Sequence, residues 1–326
     1  MKKKIFLTIC LFLAAITIAY AANLTIEADH QSFKMEEDKA KFDGNVKVTV
    51  DEVVIKSPRA EALTDPKTHK LNEAIFFDNP IAFKQDKNKR SEVRSNVMKL
   101  SLITKILTAD GNSKTTITET AKPTTIITAD KQEYDTKTRI MKATGNVVVL
   151  HDDIKATGNV GYAYLDENSD VKHVELNGNA KIVQKDNTVE GNKLTYNTRS
   201  EIAIATGNTY TNGVMDDGSV LKVWAGLQQY NKKTGIVLAS RNVRVKYQEY
   251  DAKGPKATVY PDPKTKKLNQ VIFTGRSTIM TEGRSIEADR ITMFLNPKNF
   301  FADGNVKTFI PNVEGLDENN KKGKKK

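Results

Sequence analysis

The side chains best suited to proton transfer or metal ligation are thinly spread. His30, His69, His151 and His173 lie in unrelated contexts, and none has a partner at metal-ligand spacing. Asp29, Asp130 and Asp289 come closest to a recurring acidic set. Each closes a copy of one phrase: Ile26-Glu27-Ala28-Asp29, Ile127-Thr128-Ala129-Asp130 and Ile286-Glu287-Ala288-Asp289. A carboxylate at the same point of a repeated strand reads as a turn or strand-end cap, not as half of a catalytic pair. His151-Asp152-Asp153 reads as a solvated hairpin tip. No G-x-S-x-G, H-E-x-x-H or Gly-rich phosphate loop occurs, so the sequence offers no catalytic residue, no metal site and no cofactor site, and no enzyme is expected. The 51 lysines and arginines outweigh 40 acids, for a formal charge of +11. They are scattered along polar strand faces without a stacking aromatic cluster, so nucleic acid is not an expected partner. A solvated face, or a basic rim for phosphorylated lipid or an anionic membrane, remains.

Those side chains sit on a repeated β scaffold. Phe42-Asp43-Gly44-Asn45-Val46-Lys47-Val48-Thr49-Val50 joins a Gly-Asn dipeptide, expected to reverse the chain, to a strand that alternates apolar and polar residues. The phrase returns as Ala143-Thr144-Gly145-Asn146-Val147-Val148-Val149 and as Ser240-Arg241-Asn242-Val243-Arg244-Val245, with weaker copies at Gly111-Asn112, Gly158-Asn159, Gly178-Asn179, Gly207-Asn208 and Gly304-Asn305. A longer repeat aligns Asp65-Pro66-Lys67-Thr68 with Asp262-Pro263-Lys264-Thr265. Helical periodicity is hard to find after the first residues. Self-similarity at this scale predicts an all-β chain of three units, 22–121, 122–218 and 219–312.

The ends read differently. Met1-Lys2-Lys3-Lys4, the uncharged run Ile5–Ile18 and Ala19-Tyr20-Ala21 form a signal peptide over 1–21, with cleavage after Ala21 and export to the periplasm. Kept uncleaved, the run up to Ala22 would be a short inner-membrane anchor. Cys10, the one cysteine, falls inside this segment, so the mature chain has no disulfide. Residues 313–326 read as a disordered basic tail.

The order of these phrases, Ile26-Glu27-Ala28-Asp29, Gly44-Asn45-Val46-Lys47-Val48, Asn79-Pro80-Ile81-Ala82-Phe83-Lys84-Gln85 and Ala109-Asp110-Gly111-Asn112, resembles the OstA/LptA family of periplasmic lipopolysaccharide transport proteins. The resemblance runs from about Asn23 to Asn312. It implies repeated antiparallel strands forming an open, twisted β-jellyroll with an apolar groove for the acyl chains of lipid A. It also implies edge strands that pair with inner- and outer-membrane components of the lipopolysaccharide export machinery, or head to tail with further copies of the chain. The chain departs from the family's shorter bridge protein in having three units. Period-two alternation then nominates the groove residues: Val46, Val48 and Val50; Ile81 and Phe83, with Ile182 and Met280 at the positions matching Phe83; Leu100, Tyr196 and Met293, which correspond to one another; and Val147, Val149, Val243 and Val245. Rim cations for lipid phosphate are Lys47, Arg59, Lys84 and Arg244. The expected function is a periplasmic lipopolysaccharide-binding bridge from inner to outer membrane. The alternatives are a membrane-anchored, LptC-like component of the same system, or an envelope scaffold that binds no lipid and fills the same positions with closed core.

Overall fold

A computed structural model describes residues 24–311 apart from 35–37, 51–52, 69, 86, 168–169, 216–217, 266, 282 and 296. The signal segment, Cys10, His69 and the basic tail lie outside the described residues.

The chain is all β, as the alternation predicts. Its strands are β1 Leu24–Glu27, β2 His30–Lys34, β3 Lys39–Val50, β4 Val53–Thr64, β5 Leu71–Phe77, β6 Ile81–Gln85, β7 Lys89–Arg94, β8 Val97–Ser101, β9 Ile106–Glu119, β10 Thr125–Asp135 and β11 Ile140–His151. They continue as β12 Ile154–Leu165, β13 Val171–Gln184, β14 Asn187–Asn197, β15 Ile202–Val214, β16 Val220–Asn231, β17 Val237–Tyr247, β18 Tyr250–Pro261, β19 Leu268–Thr281, β20 Arg284–Leu295, β21 Lys298–Asp303 and β22 Lys307–Phe309. Two compact units result, one ending at Ala205 and one beginning at Thr206, with the division inside β15.

In the first unit β3 pairs antiparallel with β4, β4 with both β5 and β6, β9 with both β7 and β8, and β9 to β14 follow as a meander. In the second, β16 to β20 form a meander, and β21 and β22 both pair with β20. Long strands break at one recurring place, so β5 and β6, and likewise β7 and β8, act as two halves of one strand.

The Gly-Asn pairs do not reverse the chain. They lie at bulges inside strands or, for Gly304-Asn305, in the break between β21 and β22. In β3, Asp43 faces Arg59 and Val46 faces Ser57, so Gly44 and Asn45 together oppose the single residue Pro58. Both have positive φ, 77° and 46°, and the same left-handed pair recurs at Gly111-Asn112, Gly145-Asn146, Gly178-Asn179, Gly207-Asn208 and Gly304-Asn305. A proline is tolerated opposite because a bulge needs no ladder N–H there. The recurring aspartates complete the motif. Asn45 Nδ2 donates to Asp29 at 2.8 Å, Asn146 Nδ2 to Asp130 at 3.1 Å, and Asn305 Nδ2 to Asp289 at 2.7 Å. Glycine is required because a Cβ on Gly44 would lie 2.4 Å from Asp29 Oδ2, and one on Gly145 2.1 Å from Asp130 Oδ2. At Arg241-Asn242 the arrangement is reversed: Arg241 carries the side chain, and Gly226 opposite it makes the room.

The reversals fall between strands, some in two-residue hairpins such as Asp152-Asp153 and five in Asx turns. Asp65 accepts from the N–H of Lys67 and Thr68, Asp135 from Lys137 and Thr138, Asn197 from Arg199 and Ser200, Asn231 from Lys233 and Thr234, and Asp262 from Lys264 and Thr265. These bonds hold the carboxyls of Asp65 and Asp262 below the ordinary range.

Candidate functional site

Because each bulge bends its strand, the buried side chains before and after it join one apolar interior. Phe42 and Val46, on opposite sides of the β3 bulge, belong to the same buried cluster. In the first unit the register runs inward residues into rows. One row passes Ile26, Val48, Ile55, Ala82, Val93, Thr115, Ile127, Val149, Ala156 and Ile182. On the far side of the bulges another passes Leu100, Leu107, Tyr134, Met141, Ala163, Val174 and Tyr196.

Between these rows lies a groove with about 670 Å³ of empty space, part of it open to solvent. Ile127, Val147 and Val149 line it from one half of the bent strands, and Leu107, Tyr134, Met141, Ala143, Gly161, Ala163 and Leu176 from the other. The space exists because small side chains stand at Ala109, Ala143, Gly161 and Ala163, where the register calls for core. Its apolar lining suits a lipid-like guest. Two polar side chains inside it are satisfied: Thr115 Oγ1 donates to Gln132 Oε1 at 2.6 Å, and Gln132 Nε2 donates to the Ile127 carbonyl at 3.4 Å.

Of the residues nominated from sequence, Val147 and Val149 line this groove. Val46, Val48, Val50 and Leu100 are buried in the cluster from Ala40 to Ala109, and Ile182 and Tyr196 are buried in the first unit. Val243, Val245 and Met293 belong to the core of the second unit. Three nominations face the wrong way. On β6 the sealed residue is Ala82, while its half-buried neighbours Ile81 and Phe83 point to the other face. Phe83 there carries Lys56 at 5.8 Å and Arg90 at 5.2 Å from its ring centroid, so cations over the ring stabilise an outward aromatic. Met280 is 37% exposed beside the sealed Ile279. Sequence reasoning missed Ile127, Tyr134, Gly161 and Leu176; the repeated phrase Ile127-Thr128-Ala129-Asp130 was a signal for the first, and Gly161 offers no apolar side chain to notice.

Of the nominated rim cations, Lys47, Arg59 and Arg244 are committed elsewhere. On the outward face Lys47 pairs with Glu27 at 3.0 Å and Arg59 with Asp78 at 2.8 Å. Arg244 holds Asp251 at 2.9 Å and lies 5.7 Å from the Trp224 ring centroid. Such cross-strand pairs, with Lys39–Glu61, Lys99–Glu73 and Lys193–Glu175, account for many of the scattered lysines. Burial pushes the Glu175 carboxyl up, but bonds from Lys193 and His173 outweigh it and hold it below the ordinary range. Among the described residues no group of three His, Cys, Asp or Glu could hold a metal ion, and no helix is long and apolar enough to cross a membrane.

Residues 25–125 and 155–202 match the family described as LptA/(LptD N-terminal domain) LPS transport protein. Among solved structures, the chain is similar to that of LptH, the LptA homologous periplasmic component of the conserved lipopolysaccharide transport device from Pseudomonas aeruginosa. That likeness has 12% identity and a TM-score of 0.34, and covers 40% of this chain and 95% of that one. No curated protein matches. Over residues 25–125 and 155–202 the chain thus carries an OstA/LptA-like domain, the kind found in lipopolysaccharide transport proteins.

Proposed function

We propose that this chain is a periplasmic carrier that shelters the acyl chains of lipopolysaccharide in the groove of its first unit and passes them on without covalent chemistry. The observation that carries this reading is the apolar groove bounded by Ile127, Val149, Gly161 and Leu176. Each buried methylene is worth roughly 0.8 kcal/mol, so a chain of about a dozen carbons gains on the order of 10 kcal/mol when wholly enclosed. A groove open to solvent returns less, which suits a carrier that must release its cargo.

Strand edges supply contacts to the rest of an export system. The residues of β2 are exposed, and among the described residues β1 and β2 pair only with β3. In the second unit, among the described residues, β21 and β22 pair only with β20, and Phe301, Phe309 and Ile310 are exposed. Such edges accept a further strand, from a membrane component of the machinery or from a second copy. The role needs no catalytic group.

A photo-crosslinking residue placed at Val149 in intact cells should yield a lipopolysaccharide adduct, and one at outward-facing Val148 should not. Adducts at neither position, with the protein folded and exported, would leave the scaffold reading in its place.

A further inference from the structure

Among the described residues, one buried side-chain polar atom has no hydrogen-bond partner: the hydroxyl of Tyr134. Tyr134 is only 4% exposed and lines the groove, between Leu107 on β9 and Met141 on β11. It is the last inward residue of β10 before the Asx turn at Asp135. Leaving a hydroxyl buried and unpaired costs about 1–3 kcal/mol, so such atoms in folded proteins call for an explanation. The two buried polar residues beside it in the groove, Thr115 and Gln132, are bonded to each other, while Glu133, Lys142, Tyr162 and Glu175 complete the lining. Burial also raises the Tyr134 pKa, which keeps the phenol protonated and able to donate.

The second unit supplies a control. The Gln132 site recurs at Gln228, which accepts from Thr211 Oγ1 at 2.8 Å and donates to Thr209 Oγ1 at 2.9 Å. Gln132 faces Ala143 across the ladder as Gln228 faces Ala239, so the position of Tyr134 opposite Met141 corresponds to Tyr230 opposite Val237. Tyr230 is half-buried and has partners of its own. The same residue at the same register is therefore engaged in one unit and left unpaired in the unit with the groove.

We propose that Tyr134 is a polar anchor for the guest: the groove takes an acyl chain that carries an oxygen acceptor, a carbonyl or hydroxyl close to its head, and the Tyr134 hydroxyl donates to that oxygen. The proposal rests on the acyl-carrier reading and adds to it the residue that fixes the oxygenated head of the chain. The methylenes beyond the oxygen then lie against Ile127, Val149 and Leu176.

The test compares dodecyltrimethylammonium, whose chain and head offer no acceptor, with dodecanoylcholine, which has the same charged terminus and an ester carbonyl at the head of the chain. Each displaces an apolar fluorescent dye from the full chain and from Tyr134→Phe. The wild type should prefer the ester by about tenfold, the yield of one neutral hydrogen bond. Tyr134→Phe should lose that preference while binding dodecyltrimethylammonium as before, and its thermal midpoint should stay level or rise because an unpaired hydroxyl has been removed. Equal affinity for both amphiphiles in the wild type, or a preference that survives in Tyr134→Phe, overturns the anchor and leaves the groove. Binding of neither amphiphile overturns the groove reading and the anchor with it.

Discussion

Where the first unit sets Ala143, Gly161, Leu176 and Leu194 side by side, the second sets Ala239, Ala257, Phe273 and Ile291. One step along the strands, Met141, Ala163, Val174 and Tyr196 give way to Val237, Val259, Val271 and Met293. The wiring is the same, down to a glutamine that accepts from a threonine and donates to a backbone carbonyl, but the fillings differ. Phenylalanine for leucine, alanine for glycine and valine for alanine add volume, and Phe273, Val271, Ile279 and Ile291 have no exposure. In the first unit the small residues leave a groove. One β scaffold thus carries different fillings in its two units, and the difference lies in a few side chains with no change of strand order.

Truncation should separate the two most sharply. Phe273→Ala empties a sealed site and should cost about 3–5 kcal/mol in urea unfolding, whereas Leu176→Ala beside an existing void should cost nearer 2 kcal/mol. Equal costs would mean that both units are packed alike. The converse experiment adds volume. Ala239→Leu overfills the second unit and should cost about 1–3 kcal/mol. Ala143→Leu enters the groove, should cost less than about 1 kcal/mol, and should weaken acyl binding at least tenfold by occupying the slot. If Ala143→Leu destabilises as much as Ala239→Leu, the groove is not space the fold can spare.

Smaller effects probe what the units share. Gly44→Ala places a Cβ against Asp29 at positive φ and should cost about 1–2 kcal/mol by thermal unfolding. A neutral result would show that the bulge can reshape. The smallest effect is a pH dependence. The hydrogen bond from Arg244, followed by its charge against a counteracting burial, holds the Asp251 carboxyl below its ordinary value. A carboxyl depressed on folding adds stability above the unfolded pKa of about 3.9 and loses it as the pH falls through the lower folded value. Asp251→Asn should therefore flatten the acid limb of the second unit's stability slightly, and leave the pH 7 to 8 region unchanged in slope.

Much of this was legible in the residues. Alternation placed Val46, Val48, Val147, Val149, Val243 and Val245 inward, and repeated phrases announced a repeated β chain. The bulge seam was not, because Gly-Asn takes left-handed φ both in a hairpin turn and in a bulge, and only the register distinguishes them. A signal was present: Asp29 precedes Gly44, Asp130 precedes Gly145 and Asp289 precedes Gly304 by one constant separation, as a cross-strand pair requires. Ile81, Phe83 and Met280 misled for another reason. Period two defines two faces without saying which is inner, and size favours Phe83 over Ala82. Cations on neighbouring strands, Lys56 and Arg90, reverse that preference. The groove itself is a deficit of volume, which appears only when Ala143, Gly161 and Ala163 are brought side by side.

The most direct test is methyl NMR of the Ile, Leu and Val side chains during titration with dodecanoylcholine. A slot confined to these residues predicts that Ile127, Val147, Val149 and Leu176 shift together while Val243, Val245, Ile279 and Ile291 stay in place. Shifts of equal size in both sets, or none in the first, would contradict a groove in the first unit.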